Sequence, residues 1–384
     1  MTDVESRSVQ PDSPQLALTL GGGGARAAYQ VGVLRGIASR HPDLEVPLLT
    51  GVSAGAINIA GLANATGSFR HRVDELTGLW QGLRLENVFQ TGGASLVWRV
   101  VKVAMRLTVG LPSFFEPVHG MVDTRPLHDY LSEALNTRDG LLHGVRRNLE
   151  SGHLRGVAVT ANAYSSGDTV TFFQGRVINA WERPHRHSVD TSLTVDHIMA
   201  SSALPLFFSP AKIDGQWYGD GGVRLVAPLA PAVHLGADRL LVISTHYAGA
   251  ESESPMTTDA PSPATVLSAM YNAVFLDQLD QDERQIRRMN GLLRHVPQSS
   301  RGDLREVGLF VMRPSQDLGA IAFEMEDSLP RTFRYLLSRV SGNQPGSDDF
   351  LSTLMFNPDY VQRLIDIGEH DAATHAAALA EFLQ

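Results

Sequence analysis

The chain is predicted to form an α/β fold, with a mostly parallel central sheet flanked by helices and a helical C-terminal portion. Two units predict the parallel core. The apolar run Leu16–Leu20 passes through four glycines, 21–24, into a helical pattern over 27–39 with Val31, Leu34 and Ala38 at helical spacing. A second apolar run over 46–50 passes through GVSAG, residues 51–55, into a small-residue helix over 56–65. Strand, glycine turn and helix, twice in succession, is the pattern of crossover connections between parallel strands.

Further strands are expected at 154–161, 169–173, 216–218 and 239–245, the last of which, RLLVIST, is apolar enough for the centre of a sheet. Residues 250–264, AESESPMTTDAPSPA, have turn composition, so an exposed loop is expected over 251–263, ahead of a long helix through Arg294. A late strand over 307–312 is placed back in the sheet. The N-terminal residues 1–15 read as a loose tail, 16–250 as the main domain, and 264–384 as a mainly helical portion packed on it.

Composition excludes several kinds of chemistry. Of the 384 residues, 43% are hydrophobic, enough for a full core. With 32 basic and 41 acidic residues the formal charge is -9, which offers no positive field to gather nucleic acid, and no nucleic-acid partner is expected. The absence of cysteine removes disulfides, iron–sulfur clusters, thiolate zinc sites and a cysteine nucleophile. The N-terminal MTDVESRSVQPDSPQ lacks the basic-then-apolar order of a secretory signal, so a cytoplasmic location is expected. No run reaches the roughly 18 uncharged apolar residues of a membrane span, and any membrane contact is expected to be peripheral.

The glycine loop has two ordinary uses, phosphate binding and oxyanion binding, because both need unobstructed main-chain N–H groups. A Walker-type phosphate loop needs Lys followed by Ser or Thr, and GGGGARAAY has neither. A dinucleotide fingerprint fits only with Gly21, Gly23 and Ala27 in the frame and Asp43 as a loose acidic partner, which keeps a nucleotide-binding oxidoreductase as the reading from a different class. An oxyanion hole requires a nucleophile nearby. Gly51, Val52, Ser53, Ala54 and Gly55 match G-x-S-x-G, in which glycines relieve crowding on a sharp strand-to-helix turn and the serine hydroxyl is thrust up at the helix start.

A serine nucleophile needs a base. His234 and His246 come late enough in the chain to follow the Ser, Asp, His order of an α/β-hydrolase, but one sits in a helical stretch, APAVHLG, and the other at the end of RLLVIST. Asp220 in WYGDGGV is the better candidate, an acid at a strand end with Gly221 and Gly222 beyond it. Asp-Gly-Gly alone also satisfies ordinary turn chemistry.

Taken in order, GGGGAR, GVSAG, ASSALPLFFSP and YGDGG resemble the four motif blocks of the patatin-like phospholipases, and VAVTANAYSSGDTVTF and the segment from DFLSTLMF to GEHDA resemble further parts of that family. The similarity covers most of the chain from Leu16 onward. It implies a three-layer patatin-like fold with the catalytic domain over 16–250, a Ser-Asp dyad of Ser53 and Asp220 with no histidine, and neither metal nor organic cofactor. Gly22, Gly23 and Gly24 match the oxyanion positions, with Arg26 as the basic residue that holds the loop; Gly51, Gly55, Gly221 and Gly222 are the glycines of the elbow and the aspartate block. Ala27 stands where the family often has glycine and Val226 where asparagine is common, departures that bear on loop geometry and substrate range.

The resemblance implies a serine acyl hydrolase acting on fatty-acyl esters of phospholipids or other lipids, with a general carboxylesterase or polyester depolymerase as the alternative within the class. Residues 95–118 are expected to form a lipid-facing cap. Val100, Ala104, Leu107 and Leu111 fall on one helical stripe and Arg99, Lys102 and Arg106 on another, with Phe114 and Phe115 following, the pattern of a segment over 95–115 lying on an anionic interface. Met199 and 204–208, LPLFF, are expected to touch the acyl chain.

Overall fold

The computed structural model of the protein describes residues 14–88, 122–137, 139–205, 207–247, 249, 278–302, 304–329 and 348–384. The expected cap over 95–118 and loop over 251–263 lie outside the described residues, as does the expected N-terminal tail up to residue 13. Gln15, assigned to that tail by sequence, is buried: its N–H donates to the Asp238 carboxylate, and its carbonyl accepts from the Asp238 and Arg239 N–H groups.

Among the described residues ten strands form one sheet: β1 (Leu16–Leu20), β2 (Leu48–Val52), β3 (Gly156–Ala163), β4 (Thr169–Gly175), β5 (Glu182–Arg183), β6 (Arg186–Asp190), β7 (Ala211–Ile213), β8 (Gln216–Asp220), β9 (Arg239–Ile243) and β10 (Gly308–Met312). The described helices are α1 (Ala28–Arg40), α2 (Ala54–Asn64), α3 (Phe69–Gly82), α4 (Leu85–Val88), α5 (Arg125–Ala134), α6 (His143–Glu150), α7 (Val195–Ser201), α8 (Ala230–His234), α9 (Gln278–Leu293), α10 (Leu318–Glu324), α11 (Asp348–Leu354), α12 (Pro358–Thr374) and α13 (Ala376–Leu383).

The core order β10-β9-β1-β2-β3 is parallel throughout, and the sheet turns mixed beyond β3. Side chains alternate across it, as the pleat requires. Leu18, Leu20, Leu49, Leu241 and Ile243 join the core beneath α1, α2 and α12, while Ala17, Leu48, Leu240 and Val242 face α8 and α9 on the other side. Helix, sheet and helix make three layers. Among the described residues no helix is long and apolar enough to cross a membrane.

The C-terminal portion is built into this core. Helices α1 and α12 approach so closely that Gly32 of α1 has no room for a Cβ, which would strike the Ile365 carbonyl oxygen, and Gly368 of α12 is equally confined by Tyr29. Polar contacts fix the register: Tyr29 donates its hydroxyl hydrogen to Asp371 at 3.0 Å, and Arg35 pairs with Glu369 at 2.9 Å. Small-to-large changes at such a crossing force helices apart, typically at about 1–3 kcal/mol. We expect Gly32→Ala to destabilise the protein by about that amount in urea unfolding; an unchanged midpoint would show that the two helices do not hold each other as described.

Candidate active site

Register brings residues far apart in sequence to one point. Along one edge of β3, β2 pairs up to Val52, opposite Thr160; at the next position β8 takes over the same edge from the other direction, ending with Asp220 opposite Ala161. The opposite edge of β3 belongs to β4. The ends of β2 and β8 therefore meet, and the residue that follows Val52 is Ser53.

Ser53 is the elbow between β2 and α2, with φ 55° and ψ -131°. A side chain in this region costs of order 1–3 kcal/mol and persists only where the surroundings enforce it. They do so on both sides of the residue. The Ser53 N–H donates to Ser201 Oγ at 3.0 Å, and Ser201 Oγ in turn donates to the Thr160 carbonyl at 2.6 Å. The Ser53 carbonyl accepts from Ser202 Oγ at 3.0 Å. The glycines at either end of the elbow are sterically required: a Cβ on Gly51 would lie 2.5 Å from the Gly55 carbonyl oxygen, and one on Gly55 would strike the carbonyl of Leu20.

Asp220 is fully buried. Its Oδ1 accepts from the Gly222 N–H at 2.8 Å, in the turn opened by Gly221, and its own N–H donates to the Ala203 carbonyl at 3.0 Å. The tripeptide 201–203 thus holds the backbones of Ser53 and Asp220 alike. Burial drives the Asp220 carboxyl up from 3.8 to about 7, although the Ser53 hydroxyl and the Gly222 N–H both pull it down. Oδ2 is left buried with no aligned donor. A carboxylate with one oxygen engaged and the other open beside a hydroxyl is arranged to accept a proton.

The glycine loop is oriented through its carbonyls. The Gly21 carbonyl accepts from Gln30 Nε2 at 2.9 Å, that of Gly22 from Thr245 Oγ1 at 2.7 Å, and that of Gly23 from the Arg26 N–H at 3.1 Å. In a trans peptide the C=O of one residue and the N–H of the next point in opposite directions. Anchoring these three carbonyls therefore turns the N–H groups of Gly22, Gly23 and Gly24 the other way, and none of them donates in the hydrogen bonds described. Gly22 abuts Ser53, for a Cβ there would lie 3.0 Å from Ser53 Cβ and 3.6 Å from its Oγ. Gln30 is itself held by Asn58 Nδ2 at 2.8 Å, and Asn58 Oδ1 accepts from Trp80 Nε1 at 2.5 Å, a buried amide chain that no sequence motif marks.

Arg26 is buried, and its Nε donates to Ser352 Oγ at 2.5 Å, so it ties the loop to the C-terminal portion. Beside Ser53 a narrow cleft is lined by Gly24, Ala54, Ile57, Leu83, Leu127, Ser202, Leu204, Phe208, Thr353, Leu354 and Phe356. Of the expected 204–208, Phe207 packs against the core, while Leu204 and Phe208 line the cleft. Met199 does not: it packs in the core beneath the sheet, because the last turn of α7 is sandwiched against β3 and leaves the cleft to residues beyond the helix.

His234 and His246 stand elsewhere. His234 stacks on Trp181 with ring centroids 4.8 Å apart, and burial together with Arg183, Arg186 and Arg305 lowers its pKa. His246 Nδ1 lies 3.8 Å from Asp280. No described hydrogen bond joins either to Ser53 or Asp220.

The raised Asp220 pKa has a signed consequence for stability. The folded state holds this proton more tightly than the unfolded chain, so the favourable contribution is complete below about pH 4 and lost as pH rises through about 7. Three pKa units correspond to ~4 kcal/mol. Asp220→Asn lacks that loss, and we expect its melting temperature to gain on the wild type between pH 5 and pH 8; a constant difference across that range would mean that Asp220 titrates normally.

Residues 18–233, more than half of the chain, match the model of the family described as patatin-like phospholipase. No curated protein matches the chain. Among solved structures, human GIVD cytosolic phospholipase A2 is similar with a TM-score of 0.50 at 13% identity, over 96% of this chain and 60% of that one. Its complex with methyl gamma-linolenyl fluorophosphonate gives 0.46 at 14% identity, over 96% and 59%, and VipD from Legionella pneumophila 0.39 at 12%, over 94% and 66%. The chain thus spans about three fifths to two thirds of the length of these structures, and at 13% identity the first likeness shows the fold alone. The family match over the strands and loops that carry both blocks of glycines, the elbow and Asp220 supports one conclusion: the chain belongs to the patatin-like phospholipase family.

Proposed function

We propose that the protein is a serine acyl hydrolase that cleaves fatty-acyl esters of phospholipids or other lipids. The observation that carries this reading is the buried, raised carboxyl of Asp220 facing a strained Ser53 at the edge of an apolar cleft. An ordinary aspartate near pH 4 is a feeble base; one titrating near 7 holds a proton well enough to take it from an attacking hydroxyl and is still ionised in useful proportion at neutral pH.

In the proposed cycle Asp220 accepts the Ser53 proton as Oγ attacks the ester carbonyl carbon. The carbonyl oxygen becomes an oxyanion against the N–H groups of Gly22, Gly23 and Gly24, contacts of a kind worth about 3 kcal/mol per donor. The tetrahedral species collapses, the alcohol leaves with the proton from Asp220, and an acyl-Ser53 remains. Water then loses a proton to Asp220 and attacks the acyl carbonyl, and collapse returns that proton to Ser53 and frees the fatty acid. Arg26 acts through the loop it anchors, since its guanidinium is tied to Ser352. The apolar lining favours a fatty-acyl group over a polar acid.

The basic amphipathic pattern over 95–115 is assigned the role of a cap that meets anionic lipid. Both parts of the reading are tested with a panel of phospholipids and neutral lipid esters in vesicles. We expect fatty-acid release by the wild type and a loss of about 1000-fold or more in Ser53→Ala, as for removal of a nucleophile. Reversing Arg99, Lys102 and Arg106 to glutamate should weaken hydrolysis in anionic vesicles while sparing a soluble short-chain ester. Release that persists in Ser53→Ala would refute the nucleophile, and unaltered vesicle hydrolysis in the charge-reversed protein would refute the cap.

A further inference from the structure

One wall of the cleft beside Ser53 comes from beyond the region matched by the family: Thr353, Leu354 and Phe356 face the same space as Ser53 and Ala54. This wall is held in place from several directions. Ser352 Oγ takes the Arg26 contact at 2.5 Å, which links it to the glycine loop. The Thr353 carbonyl presses on Gly24, where a Cβ would collide with it. Phe356 stacks on Trp80, with ring centroids 6.5 Å apart and planes 19° from parallel, and Trp80 is anchored to Asn58 in α2, the helix that begins at the elbow. Behind the wall, α12 is locked onto α1.

The wall is therefore fixed relative to the nucleophile and is not laid loosely across it. Its chemistry is apolar, and among the described residues no charged side chain lines the cleft. A rigid apolar surface cannot recognise an acyl chain by hydrogen bonds; it selects by how much chain fits against it. We propose that residues 352–356 form the specificity-determining wall of the acyl site, with Leu354 and Phe356 touching the acyl chain and setting the length accepted. The proposal rests on the reading of Ser53 as an acyl-transfer nucleophile.

The test is a series of p-nitrophenyl esters from butanoyl to hexadecanoyl, assayed for kcat/KM with the full-length wild type, Phe356→Ala and Leu354→Phe, and Ser53→Ala as the blank. Since one buried methylene changes affinity about fourfold, Phe356→Ala should raise the dodecanoyl-to-butanoyl ratio by about fivefold or more, and Leu354→Phe should lower it comparably. An unchanged ratio in both variants, with hydrolysis still dependent on Ser53, overturns the wall and leaves the hydrolase reading standing. A loss equal at every chain length also overturns it, because that is what a merely loosened tail would produce. No Ser53-dependent hydrolysis of any ester by the wild type overturns the hydrolase reading, and the wall with it.

Discussion

An L-residue at φ 55° and ψ -131° sits against its own preference, and in this molecule that residue is Ser53. The strain is not relieved anywhere in the elbow itself. It is opposed by the hydroxyls of Ser201 and Ser202, which bond the N–H and C=O of Ser53, by the Ala56 N–H of the first turn of α2, which donates to the same carbonyl, and by glycines at 51 and 55 that let β2, α2 and the end of β1 come together. The same short stretch then takes the Asp220 N–H through the Ala203 carbonyl, so the positions of hydroxyl and carboxyl are set by one piece of chain.

Burial is the second constraint, and it acts in opposite directions on fold and chemistry. Removing Asp220 from water disfavours its charge, which weakens the folded state at alkaline pH and raises the proton affinity of the carboxyl. Closure around the site is shared with the C-terminal portion, which contributes a wall to the cleft and the Ser352 contact to Arg26. The tail is thus part of the structure that shields the site, and the tight α1 and α12 crossing is what fixes it there.

The local pattern in the sequence carried much of this. Leu16–Leu20, the glycine loop and its helix stand where the apolar runs and glycines place them. The second strand is displaced, from an expected 46–50 to Leu48–Val52, because pairing decides its ends: Pro47 meets the start of β3 through its carbonyl, while Gly51 and Val52 continue the ladder opposite Val159 and Thr160. For the same reason β3 reaches Ala163, where β8 pairs with it. The short strands β5, β6 and β7 lacked a strong apolar run and were not anticipated. Ser201, Ser202 and Ser352 stand within motif blocks that assign them no role, and Gln30 and Asn58 within helical stretches that assign them none; each acts on a partner distant in sequence, and no local periodicity records such a contact. Asp220 itself was legible only as an acid before two glycines, since its meeting with Ser53 depends on two strands sharing one edge of β3.

In the proposed mechanism the hydroxyl at 53 and the carboxyl at 220 work as one unit, with the carboxyl titrating far above the usual aspartate range. The most direct measurement is the rate at which a long-chain fluorophosphonate modifies Ser53, followed by mass spectrometry across pH. That rate should rise through an ionisation near pH 7 in the wild type and fall to a low, pH-independent value in Asp220→Asn. A rate in the wild type that ignores pH between 5 and 8, or an Asp220→Asn protein modified as fast as the wild type, would contradict it.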